Sequence, residues 1–405
     1  MTPATIPLRD EDAILGVRPR AAYAPGTVEE AAEVMAMAAG ERLRLGFIGG
    51  GTALGLGAAP TALDAVIRTE RLARIVEHVP ADMVVIVEAG CTLAALQAAL
   101  GAHGQRLALD APSPEQATIG GIIATGAFGP LRARHGGVRD LIIGVTLIRA
   151  DGEVARGGGK VVKNVAGFDL PKVVCGSLGT LGMVATAAFR LHPVPETTRT
   201  VLVPGVRAQA VVDLVAAVRS AQLEPASMIA LSGADEQFDL GIAFEGFERG
   251  VAQQIARTLE LAGSAAAVAG DEAARAFRRR HDAVRAATPL RLRVSGLPTR
   301  FPAIAAQLAG LGDLAWYATL GLGIAGGVPG GVIHDVPGAI ASVTCARAAL
   351  VAGGGSLVVE AAPPELRQAL DPWGPRPPSF AIMERLKRRF DPDGRLNPGR
   401  FVGGL

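Results

Sequence analysis

Cysteine is scarce in this chain: Cys91, Cys175 and Cys345 are three residues in 405, far apart and odd in number. That excludes a disulfide framework and leaves no array for an iron-sulfur cluster. The three read as buried thiols. Charge is sparse as well. Charged residues make up 19% of the chain and nearly cancel, to a formal +2. Such a balance gives no field suited to nucleic acid or to an anionic membrane surface. Long apolar runs are missing: the richest stretch, residues 83–100, is interrupted by Glu88 and Gln97, whereas a spanning helix needs roughly 18 to 20 apolar residues in succession. The first residues, MTPATIPLRDED, are acidic where a secretory leader would be basic and then apolar. The expectation is therefore a cytoplasmic protein, or one held at the inner face of a membrane by a partner. The histidines, His78, His103, His135, His192, His281 and His334, include no i,i+4 pair. A helical zinc site is not expected from that spacing, and no metal is expected.

What the chain has in quantity is apolar material, 49% of its residues, in a length that exceeds what one hydrophobic core usually serves. Two or more packed units with a cofactor cleft are expected. The first quarter alternates strand and helix periods. Residues 21–24 read as a strand stopped by Pro25 and Gly26. Thr27 then caps a helix, Glu30 completes a capping box, and Ala31, Val34, Met35 and Ala38 recur at helical spacing. Residues 43–48 read as a strand running into glycines. Further strands are expected at 65–68, 74–79 and 83–88, and Thr92 caps a helix ending near Gly101. Residues 141–149 and 184–191 read as strands, with Asp151 and Gly152 as a hairpin turn and Pro193 and Pro195 closing the first domain. Helices at 208–221, 251–262 and 272–287, separated by strands at 228–231 and 290–294, describe an α+β second domain. After a proline-rich linker at 363–378, Phe380, Met383, Leu386 and Phe390 mark one face of a last helix that Pro392 stops.

Three glycine segments carry the chemistry. Gly49, Gly50, Gly51, Thr52, Ala53, Leu54 and Gly55 follow a strand, and consecutive glycines let several N–H groups converge on one anion, such as a diphosphate. The alternative is a glycine turn with no ligand. The loop fits neither the Rossmann nor the P-loop pattern. Gly321, Gly323 and Gly326 match G-x-G-x-x-G, but Gly327, Val328, Pro329 and Gly330 follow and cannot open a helix. The second segment, Thr118-Ile119-Gly120-Gly121-Ile122-Ile123-Ala124-Thr125-Gly126, has the small and apolar residues that a flat ring against backbone requires; a tightly packed helix is the alternative. The third, residues 176–184, repeats glycine every third residue and leads into a strand. Arg132, Arg134 and His135 lie between the last two.

In their order and spacing these segments resemble the FAD-binding domain shared by vanillyl-alcohol oxidase, D-lactate dehydrogenase and glycolate oxidase subunits. The likeness covers roughly residues 21–191 and the ending FDPDGRLNPGR at 390–400. The run GGGKVVKNVAGFDL at 157–170 is very like the D and E subunits of glycolate oxidase. The resemblance implies an α+β protein with a PCMH-type (vanillyl-alcohol oxidase-like) FAD-binding domain over 1–195, a cap over 196–345, and a segment at 346–405 that returns to the FAD domain. It implies FAD-binding roles for Gly49, Gly50, Gly51, Thr52, Ala53, Leu54, Pro112, Thr118, Ile119, Gly120, Gly121, Ala124, Thr125, Gly179, Gly182, Met183 and Val184, and places Asn397 close to the flavin. Related hydroxyacid dehydrogenases have a metal-binding H-x-G-D-G-N-x-H segment in the cap, and the comparable residues 317–324 have no His, Asp or Asn. Glycolate or a related D-2-hydroxyacid is the implied substrate. Arg293, in an alternating run at 290–295, is the candidate for its carboxylate, against a solvated strand residue as the alternative. His281, on a helical face with Phe277 and Val284, reads as packing rather than as a base, and Arg278, Arg279 and Arg280 as solvent or partner contacts.

The implied partners are a homologous D-type subunit and an iron-sulfur subunit that takes electrons onward, since this chain has no cysteine array. Two other readings stay open: a free-standing FAD-dependent 2-hydroxyacid dehydrogenase, and a catalytically silent FAD-binding scaffold. Such proteins often attach flavin covalently through His or Cys. Here Thr52 and Ala53 stand where a His would sit, so FAD is expected to be noncovalent. Acid precipitation of the purified protein should leave the yellow colour in the supernatant; a yellow pellet would contradict the expectation.

Overall fold

A computed structural model describes residues 3–160, 168–327 and 333–405. Residues 161–167 of the glycolate oxidase-like run and Val328, Pro329 and Gly330 after the G-x-G-x-x-G match lie outside the described residues. The chain forms two compact units. The first comprises Met1–Gly129, Gly136–Val194 and Pro375–Leu405, and the second Pro130–His135 and Pro195–Gly374.

The first unit begins with β1 (Ala21–Tyr23), α1 (Val28–Gly40), β2 (Leu45–Ile48) and β3 (Ala65–Arg68). These strands form a three-stranded parallel sheet with β3 in the middle. All four residues of β3 are buried, as a central parallel strand requires. The helix α1 buries Ala31, Val34, Met35 and Ala38, the spacing read from the sequence. Its cap is shifted from the expected box. Thr27 Oγ1 accepts from the Glu30 N–H at 3.1 Å, but the Glu30 carboxylate accepts from the Gly26 N–H at 2.7 Å, one residue before the cap.

A second sheet in this unit contains β4 (Ile75–Val79), β5 (Val84–Glu88), β7 (Ile142–Ile148), β8 (Val154–Gly158) and β9 (Met183–Arg190), with a two-residue strand β6 (Gln105–Arg106) lying apart. It is antiparallel, in the order β4-β5-β9-β7-β8. Two helices, α2 (Leu93–Gly101) and α3 (Ile119–Thr125), pack their leucines and isoleucines into the core beside β5, β7 and β9. At the other end of the chain the helix Phe380–Phe390 leads into a tail that lies beside β2: Leu45 pairs with Leu396, the Leu45 N–H donates to the Arg395 carbonyl at 2.8 Å, and the Asn397 N–H donates to the Leu45 carbonyl at 2.8 Å. The apolar face predicted for this helix is only half buried. Its one buried residue is Lys387.

The second unit is built on an eight-stranded antiparallel sheet: Ala267–Val268, Thr197–Arg207, Gln237–Gly246, Ser227–Ser232, Asp313–Tyr317, Leu322–Gly326, Arg291–Ser295 and Ser356–Ala361, in that spatial order. The helices Ala208–Ser220, Glu248–Ala262, Phe301–Leu308 and Val336–Ala352 share its core. The short helix Arg132–His135 belongs here too, with Arg134 donating to the Glu245 carbonyl and His135 Nε2 lying 2.7 Å from the Glu245 carboxylate. Cys345 corrects the reading of three buried thiols: Cys91 is buried and Cys175 partly so, but Cys345 is exposed, because Val336–Ala352 packs through Val343, Ala346 and Leu350 instead.

The helix Asp271–Arg285 sets Phe277 against Gly241 and His281 against Tyr317. His281 is fully buried, with Nε2 3.0 Å from the Tyr317 hydroxyl and Nδ1 2.9 Å from Asp282 Oδ1. Burial lowers its pKa against the opposing pull of Asp282. The unfolded chain therefore takes up this proton first, near the ordinary 6.5, and stability falls as pH drops below that value until the folded pKa is reached. The expected slope is about 1.4 kcal/mol per pH unit in that window. Unfolding followed between pH 7.5 and 5.5 should show the decline in the wild-type protein and a shallower one in His281→Gln.

Candidate functional site

The site is built in the first unit, where loops from both of its sheets meet α3. The glycine loop at 49–55 leaves β2 and runs against residues 116–118. A Cβ at Gly49 would overlap Thr118 Oγ1, and one at Gly50 would overlap the Gln116 carbonyl oxygen. The loop turns at Gly51, whose φ of +72° lies in the left-handed region. Gly49 to Thr52 are exposed, and the N–H groups of Gly50, Gly51, Thr52 and Ala53 donate to no acceptor among the described residues. Four unsatisfied donors at the mouth of a glycine turn are what a diphosphate needs.

Thr118 closes the other side. Its hydroxyl caps α3 by accepting from the Gly121 N–H, the Ile119 N–H donates to the Cys91 carbonyl at 2.9 Å, and the Gly120 N–H donates to the Ala89 carbonyl at 2.7 Å. A Cβ at Gly120 would stand 2.8 Å from that of Ala89, so only glycine allows the helix to start against β5. The second glycine segment is thus a tightly packed helix. Ile119, Ile122 and Ile123 are buried, while Gly120, Gly121, Ala124 and Thr125 remain partly exposed as a strip of small residues. Pro112, also partly exposed, lies in the loop preceding it.

The third segment holds the far end of α3. Gly176 and Leu178 donate N–H bonds to the Ile123 and Ala124 carbonyls, both at 2.8 Å. Gly179, at φ +69°, sits against Phe47 and Asn397. Asn397 adopts φ +44° and donates from Nδ2 to the Leu178 carbonyl at 2.7 Å. Its Oδ1 is buried with no partner among the described residues, a cost that a bound group could remove. Gly182 serves the sheet instead, approaching the Ile148 carbonyl. Met183 is buried in the core beneath α1, and Val184, half buried, pairs with Leu147. Leu54 is half buried.

Sequence reading missed Thr69. It follows β3, its N–H donates to the Ile48 carbonyl, its carbonyl lies where a Cβ at Gly90 would be, and its buried Oγ1 has no partner among the described residues. No motif marks it. Arg293, in the second unit, is 3.5 Å from the Glu360 carboxylate, which Arg291 also engages at 3.2 Å. Among the described residues no group of three His, Cys, Asp or Glu is gathered as for a metal, and no helix is long and apolar enough to cross a membrane.

Free loop N–H groups, a strip of small residues on α3 and two orphaned buried oxygens are groups that a cofactor with a diphosphate and a flat ring would use. Comparison with known proteins names the class. Residues 19–158 match the family described as FAD binding domain, and residues 374–401 match the C-terminal domain of FAD linked oxidases. Residues 19–158 are thus an FAD-binding domain, the fold is of the PCMH type, and FAD is the cofactor. It is 36% identical over 183 residues to a D-lactate dehydrogenase of Archaeoglobus fulgidus, covering 44% of this chain and 41% of that protein. It is 31% identical over 210 residues to glycolate oxidase subunit GlcD of Bacillus subtilis, covering 52% and 45%, and 38% identical over 125 residues to glycolate oxidase subunit GlcE of Escherichia coli, covering 31% and 36%. The match spans less than half the length of each of these relatives. Among solved structures, p-cresol methylhydroxylase superposes with a TM-score of 0.74 at 16% identity, over 95% of this chain and 89% of that one. Alkyldihydroxyacetonephosphate synthase gives 0.71 at 17%, over 95% and 78%. Both likenesses are of fold.

Gly50→Ala should force the loop away from Gln116, at a cost of about 1–3 kcal/mol, and weaken FAD binding on the order of tenfold. Gly40→Ala, where an added Cβ meets nothing within 4 Å, should bind FAD like the wild type. Flavin fluorescence titration measures both.

Proposed function

We propose that this chain is the FAD-binding E-type subunit of a glycolate oxidase complex and supports oxidation of glycolate or a related D-2-hydroxyacid to the 2-oxoacid. The observation that carries the proposal is the glycine-built cofactor cradle in a chain similar both to glycolate oxidase subunits and to a D-lactate dehydrogenase. Bound FAD would supply the two-electron acceptor. In this reading the N–H groups of Gly50, Gly51, Thr52 and Ala53 hold the diphosphate, the Gly120, Gly121, Ala124 and Thr125 strip of α3 lies along the cofactor, and Asn397 meets the flavin through its orphaned Oδ1.

The second unit supports assigning hydroxyacid chemistry to a D-type partner. Tyr317, beginning the stretch comparable to the metal motif, is bonded to His281, and residues 318–324 contain no His, Asp or Asn, their one side-chain oxygen being the Thr319 hydroxyl. The three cysteines are scattered and uncombined, so electrons reaching this flavin would leave through an iron-sulfur subunit or a diffusible acceptor. The D-lactate dehydrogenase likeness favours a second reading, a chain that oxidises its substrate unaided.

The test is an absorption spectrum of the purified chain, repeated anaerobically after adding glycolate and then D-lactate. Bound flavin that neither acid bleaches, but that bleaches once a D-type subunit is added, is the expected result. Bleaching in the isolated chain would replace the subunit reading with the free-standing enzyme. Flavin that stays oxidised with glycolate in an active complex would make the chain a scaffold.

A further inference from the structure

Lys387 is the buried residue of the helix Phe380–Phe390, on the face where the sequence placed apolar contacts. Burying an ammonium is costly unless every proton finds an acceptor. Here all three do: Nζ donates to the Thr180 carbonyl at 2.9 Å, to the Leu396 carbonyl at 2.9 Å and to Asp391 Oδ2 at 2.6 Å. Asp391, 1% exposed, also accepts from the Arg395 N–H at 3.1 Å and the Leu396 N–H at 2.8 Å. The pair thus joins two segments far apart in sequence. One contains Gly176 and Leu178, which hold the end of α3, and the other contains Asn397.

A methylene chain ending in an apolar group would fill the same space. It would leave the Thr180 and Leu396 carbonyls without this donor and Asp391 as a lone buried charge. The ammonium therefore fixes geometry that packing alone would leave loose, at residues next in the chain to Gly179 on one side and to Asn397 on the other. Burial lowers the Lys387 pKa and Asp391 opposes that shift, as the contacts require.

We infer that Lys387, with Asp391, is a positioning residue for the FAD site, holding the 176–180 loop and Asn397 in the register that receives the cofactor. This rests on the assignment of those segments to FAD. It makes a reciprocal demand: if the tie favours bound FAD, bound FAD must strengthen the tie by the same factor.

The experiment uses the full chain. The double variant Lys387→Met/Asp391→Asn removes both charges together and leaves no lone buried ion, and Arg388→Met, on the exposed side of the same helix, is the control. FAD affinity, the position of the visible flavin bands and hydrogen exchange of residues 177–182 and 391–397 are measured with and without FAD. In the wild type, FAD should slow exchange in both segments. The double variant should bind FAD on the order of tenfold more weakly with shifted flavin bands, and the control should match the wild type. A folded double variant with unchanged affinity and spectrum, even at a lower melting temperature, overturns the inference, because a merely structural lysine behaves so. If the double variant does not fold, exchange in the wild type decides: FAD that binds without protecting 391–397 overturns it. A wild-type chain that binds no FAD instead overturns the site assignment itself.

Discussion

Backbone packed directly on backbone is the constraint from which the cofactor site follows. The loop after β2 presses on the Gln116 carbonyl at Gly50, the turn after β5 presses on the Thr69 carbonyl at Gly90, and α3 starts on the Ala89 carbonyl through the Gly120 N–H. At each point two main chains approach more closely than any Cβ permits. The ends of β2, β3 and β5 are thereby gathered around the start of α3. Because Gly50 to Ala53 spend none of their N–H groups on bonds to other described residues, the same packing that closes the fold leaves these donors available.

A second layer of polar contacts secures this frame from the opposite end of the sequence. The tail at 395–397 extends the parallel sheet beside β2, and Arg395, buried, donates to the carbonyls of Ala38, Leu43 and Ala150. Asn397 then reaches the Leu178 carbonyl, and Lys387 the Thr180 carbonyl. Residues more than 200 positions apart therefore share one site. Charged and amide groups do this where apolar ones would not, since a buried donor is satisfied only by an acceptor in one place.

Much of the frame was legible in the chain. The α1 face of Ala31, Val34, Met35 and Ala38, the Thr27 and Thr92 caps and the strand runs all follow local rules of period and hydrogen bonding. The glycine segments were legible as close-approach points, but the partners they approach were not. Glu30 bonding Gly26 in place of Thr27 depends on the approach of the chain to α1, a detail finer than any spacing. Cys345 is exposed because its helix turns Val343 and Ala346 inward. The apolar stripe on Phe380–Phe390 concealed the one residue that matters most there. An i,i+4 Lys387–Asp391 pair ahead of a proline was the available signal, and such pairs are ordinarily solvated.

The sequence by itself determined the helices, strands, caps and close-approach glycines, which are local properties that a short window contains in full, and its resemblance to a known family supplied the class of fold and the kind of cofactor. Tertiary structure alone decided which glycines touch which carbonyls, that Thr69 and Asn397 bury unpaired oxygens, that Arg293 spends its charge on Glu360, and that Lys387 joins loop to tail. Those facts depend on acceptors supplied by residues distant in the chain, and a buried polar group acquires its meaning only when its partner is in place.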